Sequence, residues 1–135
     1  MANQKIKGMG FHHVALRTTN FEKSLEFYKA LGMEFIVQWG QGPMTIAMFD
    51  IGDGGRFEIF ANRGVDYPSE GRLQHFAFCV DDVEVAYAHA LSIGAEALTP
   101  PKTVPLEDAI PEKITIQVAF VKGPDGEQLE FFKQL

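Results

Sequence analysis

Four side chains in this 135-residue sequence have the chemistry to hold a divalent cation together: His13, Glu58, His75 and Glu130. Each glutamate stands inside an apolar run, Glu58 in "RFEIF" and Glu130 in "QLEFF". A carboxylate among aromatic and aliphatic neighbours is costly to bury unless it is paired, hydrogen-bonded or bound to a metal. Two neutral imidazoles and two carboxylates balance a 2+ charge, and an N2O2 set leaves positions for water or substrate on a six-coordinate ion. Ligand softness favours Ni, Co, Zn, Fe or Mn over Ca or Mg, and ligand type does not choose among the favoured metals.

The four residues fall in register within a repeat. "FHHVALRTTNFEKSLEFYKALGMEF" overlays "LQHFAFCVDDVEVAYAHALSIGAEAL", so that His13 lies 19 residues before Gly32 and His75 lies 19 before Gly94. Self-similarity at a fixed offset, here 62 residues, marks a doubled structural unit. Each copy opens with an alternating strand, 11–17 and 74–80. Alternation puts Phe11, His13, Ala15 and Arg17 on one face and His12, Val14 and Leu16 on the other.

Helix-start signals follow, Thr19 with Glu22 and Asp81 with Glu84, both resembling capping boxes. Phe21, Leu25, Tyr28 and Leu31 then form one helical stripe, and Val83, Tyr87 and Ala90 form its counterpart. Gly32 and Gly94 stand where a helix ends in the left-handed conformation. Strand-like runs come next: "MEFIVQW", "MTIAMFDI" and "RFEIFA" in the first copy, "AEAL", "TIQVAFVK" and "EQLEFFK" in the second. Each half therefore reads as βαβββ, about 10–62 and 72–133, within a single α+β domain. The Pro-rich segment 99–113 reads as a loop over one edge.

Arg17 sits four residues after His13, and Asn62 four after Glu58, so each shares its ligand's face if the strands extend that far. They suit an anionic, amide-bearing substrate, and Arg17 equally suits an ion pair with a nearby acid. Cys79, four residues after His75, reads as small core filling. His12, facing the other way, and His89, inside the second helix, read as structural or solvated.

An apolar fraction of 46% with 22% charged residues is that of an ordinary globular protein. A net charge of -6 without clustered Lys or Arg argues against nucleic acid. No segment has the length of a membrane span, no apolar run marks a secretory signal, and the single cysteine excludes an internal disulfide. The expectation is a cytoplasmic protein with a small-molecule partner and no membrane association.

The doubled βαβββ unit with these four residues resembles the vicinal oxygen chelate superfamily, and within it glyoxalase I, the lactoylglutathione lyase. The stretches that carry the resemblance are "HHVALRTTNFEKSLEFYKALGME", "FEIFANRGVD", "LQHFAFCVDDVE" and "VAFVKGPDGEQLEFF". It implies two modules forming a cupped mixed or antiparallel sheet with helices on the outside, the glyoxalase/bleomycin resistance/dioxygenase fold. By position it makes His13, Glu58, His75 and Glu130 the metal ligands, and gives Arg17 and Asn62 the glutathione part of the substrate. A histidine as first ligand is similar to the nickel- and cobalt-activated bacterial type, with Zn, Mn or Fe as alternatives and no organic cofactor.

The implied reaction isomerises the hemithioacetal of methylglyoxal and a thiol to an S-lactoyl thioester through an enediolate. Glu130 would be the principal base and Glu58 its pseudosymmetric partner. Relatives of this kind are usually homodimers whose sites form within one chain or between two. Alternatives are another metal-dependent member, such as an epimerase, extradiol dioxygenase or thiol transferase, and a non-enzymatic module that binds an antibiotic or similar small molecule. Epimerases usually carry glutamine at the position of Glu58, dioxygenases and thiol transferases usually have three protein ligands, and the binding modules lack the set.

Overall fold

The computed structural model of the chain describes residues 13–62, 75–107, 109 and 112–135. Phe11, His12 and the first residue of the predicted 74–80 strand lie outside the described residues. Two compact units are present, Met1–Gly64 and Val65–Leu135.

The first unit runs β1 (His13–Arg17), α1 (Phe21–Leu31), β2 (Glu34–Trp39), β3 (Ile46–Asp50) and β4 (Arg56–Phe60). Its sheet has the order β1-β4-β3-β2, with β1 parallel to β4 and the other pairs antiparallel. The second runs β5 (Phe76–Cys79), α2 (Val83–Ser92), β6 (Glu96–Leu106), β7 (Ile114–Lys122) and β8 (Gln128–Gln134). Its order is β5-β8-β7-β6, again with one parallel pair, β5 and β8. Both units are βαβββ, each a four-stranded mixed sheet with one helix, as the doubled α+β pattern predicts.

One face of each sheet is apolar and packs under its helix. In the first unit Phe49 pairs with Phe57 and Ala47 with Ile59, and all four are fully buried. The α1 stripe packs on β4: Leu25 and Tyr28 are buried as predicted, Ser24 and Phe27 join them, and the Tyr28 ring lies 4.6 Å from that of Phe57. In the second unit α2 packs on β6, β7 and β8, with Val83, Ala90, Val121 and Leu129 fully buried. Burying each large side chain stabilises the unit by about 1.5–3 kcal/mol.

The helix starts differ from the expectation by one residue. Asn20 and Asp82, not Thr19 and Asp81, are the N-caps, accepting from Lys23 N at 3.1 Å and Val85 N at 3.0 Å. No capping box forms, because Lys23 and Val85 at the reciprocating position carry no acceptor; Glu22 and Glu84 instead stand in the first turn, where their charge favours the helix dipole. Gly32 at φ 112° and Gly94 at φ 103° do supply the left-handed ends.

The Pro-rich segment is the larger correction. Residues 99–106 belong to the eleven-residue strand β6 rather than to a loop. β6 is an edge strand bonded only to β7, so the missing N–H groups of Pro100, Pro101 and Pro105 need not interrupt a central ladder. Register shifts between Ala97 and Thr99 and between Thr99 and Lys102 absorb the first two prolines. Among the described residues no helix is long and apolar enough to cross a membrane.

The turn from β3 to β4 sets where β4 begins. Asp50 Oδ1 accepts from Gly52 N at 2.7 Å and Gly54 N at 3.2 Å, and Oδ2 pairs with the Arg56 guanidinium. The Gly52 N–H above all, with Gly54 and Arg56, holds the Asp50 carboxyl below the ordinary carboxylate value despite some desolvation. A depressed folded-state value means stability that is present above the ordinary range and lost as pH falls through the depressed value. We therefore expect Asp50→Asn to lower the Tm at neutral pH, and the gap from the parent to close as the pH drops below about 4. Thermal unfolding followed by circular dichroism across that range checks this; a gap independent of pH would remove the charge from the turn's support.

Candidate metal centre

On the open face of the first sheet the site is set by one register. In the parallel β1–β4 pair Ala15 lies opposite Glu58, so Glu58 shares a face with His13, Ala15 and Arg17. The small Ala15 side chain leaves room for the carboxylate to reach along β1, and Glu58 Oε2 comes within 3.5 Å of His13 Nε2. Glu58 is only 6% exposed, with Met48 opposite it on β3, whereas His13 faces solvent.

The second sheet repeats the arrangement. Ala77 lies opposite Glu130 in the parallel β5–β8 pair, and His75 Nε2 stands 2.9 Å from Glu130 Oε2. Glu130 is 8% exposed. Here Phe120 replaces Met48 opposite the glutamate, and its ring meets the His75 imidazole edge-on, with centroids 5.5 Å apart at 84°.

The donor spacing suits a first-row cation. Two donors each about 2.1 Å from one ion are about 3 Å apart at a right angle and about 3.4 Å apart at a tetrahedral angle. The two His–Glu pairs, at 3.5 and 2.9 Å, stand at these separations with imidazole nitrogen and carboxylate oxygen directed toward each other. Each unit presents two such donors, and among the described residues no group of three or more His, Cys, Asp or Glu side chains is gathered in one place.

The remaining predicted residues divide. Arg17, the last residue of β1, lies on the open face with its guanidinium carbon 5.7 Å from the centre of the Phe60 ring. Asn62 is half-buried two residues beyond the end of β4, so it follows the strand rather than belonging to it. His89 is exposed in the last turn of α2. Cys79 is exposed and not core filling: alternation along β5 puts it on the open face with His75, away from α2.

Two aromatic neighbours, Phe120 against His75 and Phe60 against Arg17, were not among the sequence candidates. Both occupy ordinary strand positions, and only the pairing register shows which side chain each one faces.

Residues 10–131 match the profile of the family described as "Glyoxalase/Bleomycin resistance protein/Dioxygenase superfamily". A probable lactoylglutathione lyase of Vibrio cholerae is 31% identical over 98% of this chain and 93% of its own length. The uncharacterised Bacillus subtilis protein YwbC is 27% identical over 90% of this chain and 95% of its own. A crystal structure of a glyoxalase I variant from Zea mays superposes with a TM-score of 0.72 at 23% identity, over 90% of this chain and 43% of that one.

A ligand that binds only the folded state raises its stability, by about 2.7 kcal/mol at a hundredfold excess over Kd. Adding Ni, Co or Zn to metal-stripped protein should therefore raise the Tm by several degrees, and His75→Ala or His13→Ala should abolish most of that rise. Differential scanning calorimetry with and without metal tests this, and an equal rise in both variants would remove the histidines from the ligand set.

Proposed function

This chain belongs to the glyoxalase/bleomycin resistance protein/dioxygenase superfamily, and from that membership we propose that it is a metal-dependent lactoylglutathione lyase. The observation that carries this reading is the matched register of the two His–Glu pairs, one on the open face of each repeat. Members of the superfamily are often enzymes and commonly bind a divalent metal. In this reading His13, Glu58, His75 and Glu130 serve as metal ligands, with Ni or Co favoured and Zn, Mn or Fe compatible with the same donors. When bound, the ion supplies Lewis acidity toward the hydroxyl and carbonyl oxygens of the substrate.

The chain's own groups account for the proton movement. The substrate is the hemithioacetal of methylglyoxal and a thiol such as glutathione. Glu130 takes the proton from C1 and returns one to C2, and the hydroxyl proton passes from the oxygen on C1 to the oxygen on C2, so that C1 becomes the thioester carbonyl and C2 the alcohol. The two carbons exchange oxidation states, no external oxidant or reductant enters, and no organic cofactor is needed. Burial of Glu130 and Glu58 keeps both carboxylates away from bulk water, so a proton taken from carbon is held for return. Glu58 occupies the corresponding place in the first repeat and serves as the partner carboxylate. Arg17 binds a carboxylate of the thiol by charge-assisted hydrogen bonds, and Asn62 an amide.

We further propose a homodimer acting in the cytoplasm, where glutathione and Cys79 stay reduced.

Metal-stripped protein reloaded with Ni or Co should convert methylglyoxal and glutathione to a thioester, followed by its ultraviolet absorbance. Glu130→Gln should lower kcat by about 10²–10⁴-fold while retaining metal; near-parental kcat in that variant would reject Glu130 as the base. Arg17→Ala should raise KM for the glutathione substrate by about tenfold or more with kcat little changed. No turnover with any metal, despite tight binding of an ion, would reject this substrate and direct attention to other thiols and then to epimerase or dioxygenase chemistry.

A further inference from the structure

We infer that Phe60 is a positioning residue, a ring that holds the Arg17 guanidinium on the open face of β1 for the anionic end of the thiol; this rests on the lyase reading above. Arg17 and Phe60 are direct partners in the parallel β1–β4 register, and the guanidinium carbon lies over the ring at 5.7 Å from its centre. That is within the range of a cation–π contact. Such a contact restrains the side chain through the ring's quadrupole and places no negative charge beside the guanidinium. Held in this way, Arg17 has already lost part of the rotamer freedom that binding would otherwise cost.

The ring is itself anchored. The Phe60 carbonyl accepts from Thr18 N at 2.9 Å and from Thr18 Oγ1 at 3.2 Å. The next residue, Ala61, donates from its N–H to Thr45 O at 2.9 Å. These bonds fix the backbone at the end of β4 against both the residue after Arg17 and the residue before β3.

The second repeat supplies an internal contrast. Cys79 pairs with Phe132 at the corresponding register position, and Val80 N donates to Phe132 O at 3.0 Å. The N–H to carbonyl bond and the aromatic recur, and Cys79 stands where the first repeat has its cation. A ring at this register is thus part of the repeat's framework, and only the first copy gives it a guanidinium to hold.

The test compares two thiols in the methylglyoxal assay: glutathione, which carries carboxylates, and 2-mercaptoethanol, which carries none. Phe60→Leu should raise KM for the glutathione hemithioacetal about threefold with kcat unchanged, the size expected when a partly exposed cation–π contact is lost. KM for the 2-mercaptoethanol hemithioacetal should not move, and Phe60→Trp should restore the parental KM. An unchanged glutathione KM in Phe60→Leu, an equal rise for both thiols, or no rescue by Trp would overturn the assignment.

Failure of the lyase reading shows separately, as lack of turnover in the parent with either thiol. The hold on Arg17 is then read by NMR, as an upfield ring-current shift of the Arg17 side-chain protons in the parent. That shift should disappear in Phe60→Leu, and its persistence would overturn the contact.

Discussion

A slip of one residue in the pairing of β1 with β4 would turn every side chain of one strand to the other face of the sheet. Glu58 would then point under α1, and Phe57 would point to solvent. What holds β4 against turning over is its helix side: Phe57 and Ile59 are fully buried, with the Tyr28 ring of α1 against Phe57, and both would have to be exposed at once. The face on which Glu58 stands is thus enforced from the opposite side of the sheet. The same holds for β5 and β8, where Val121 and Leu129 pair on the face that α2 covers while Glu130 faces away. Hydrophobic packing on one face sets donor geometry on the other.

That arrangement carries a cost. Glu58 and Glu130 occupy strand positions where an apolar side chain would pack without desolvating a charge, and each is less than a tenth exposed. The alanines opposite them, Ala15 and Ala77, add no packing of their own and serve by being small. A local choice that works against core packing, made twice at the same register, is the kind of inconsistency that accompanies a site kept for chemistry. On the proposed reading the bound cation offsets the cost, and the carboxylates gain a buried position from which to exchange a proton with carbon.

Most of the scaffold was legible because its signals are local. Alternation gave the strands, the Leu25–Tyr28 stripe gave α1, and glycine after each helix gave the left-handed ends. Of the readings the structure corrects, the loop and the caps need information beyond sequence distance, and Cys79 does not. The prolines of β6 argue for a loop unless the strand is known to lie at an edge, and edge status is a property of the sheet order. Cys79 reads as core filling by residue type, although its own alternation with His75 puts it on the open face, and position decides over type. The capping boxes were misplaced because adjacent Thr19–Asn20 and Asp81–Asp82 offer two candidates for one role, and the backbone N–H groups of Lys23 and Val85 chose the second.

For the site, the histidines and glutamates were legible as a set through the repeat, whereas their surroundings were not. Met48 and Phe120 stand at matching places opposite Glu58 and Glu130, as Arg17 and Cys79 do opposite Phe60 and Phe132. The repeat therefore keeps its donors and its backbone register while the flanking side chains have become unlike. An edge-on ring restrains the imidazole in the second copy, and a cation over a ring marks the first. On the proposed reading the substrate has a thiol end and a carbonyl end, and unlike flanking side chains are what tell them apart. The departures from repeat symmetry, more than the symmetry, are where the orientation of the substrate is to be sought.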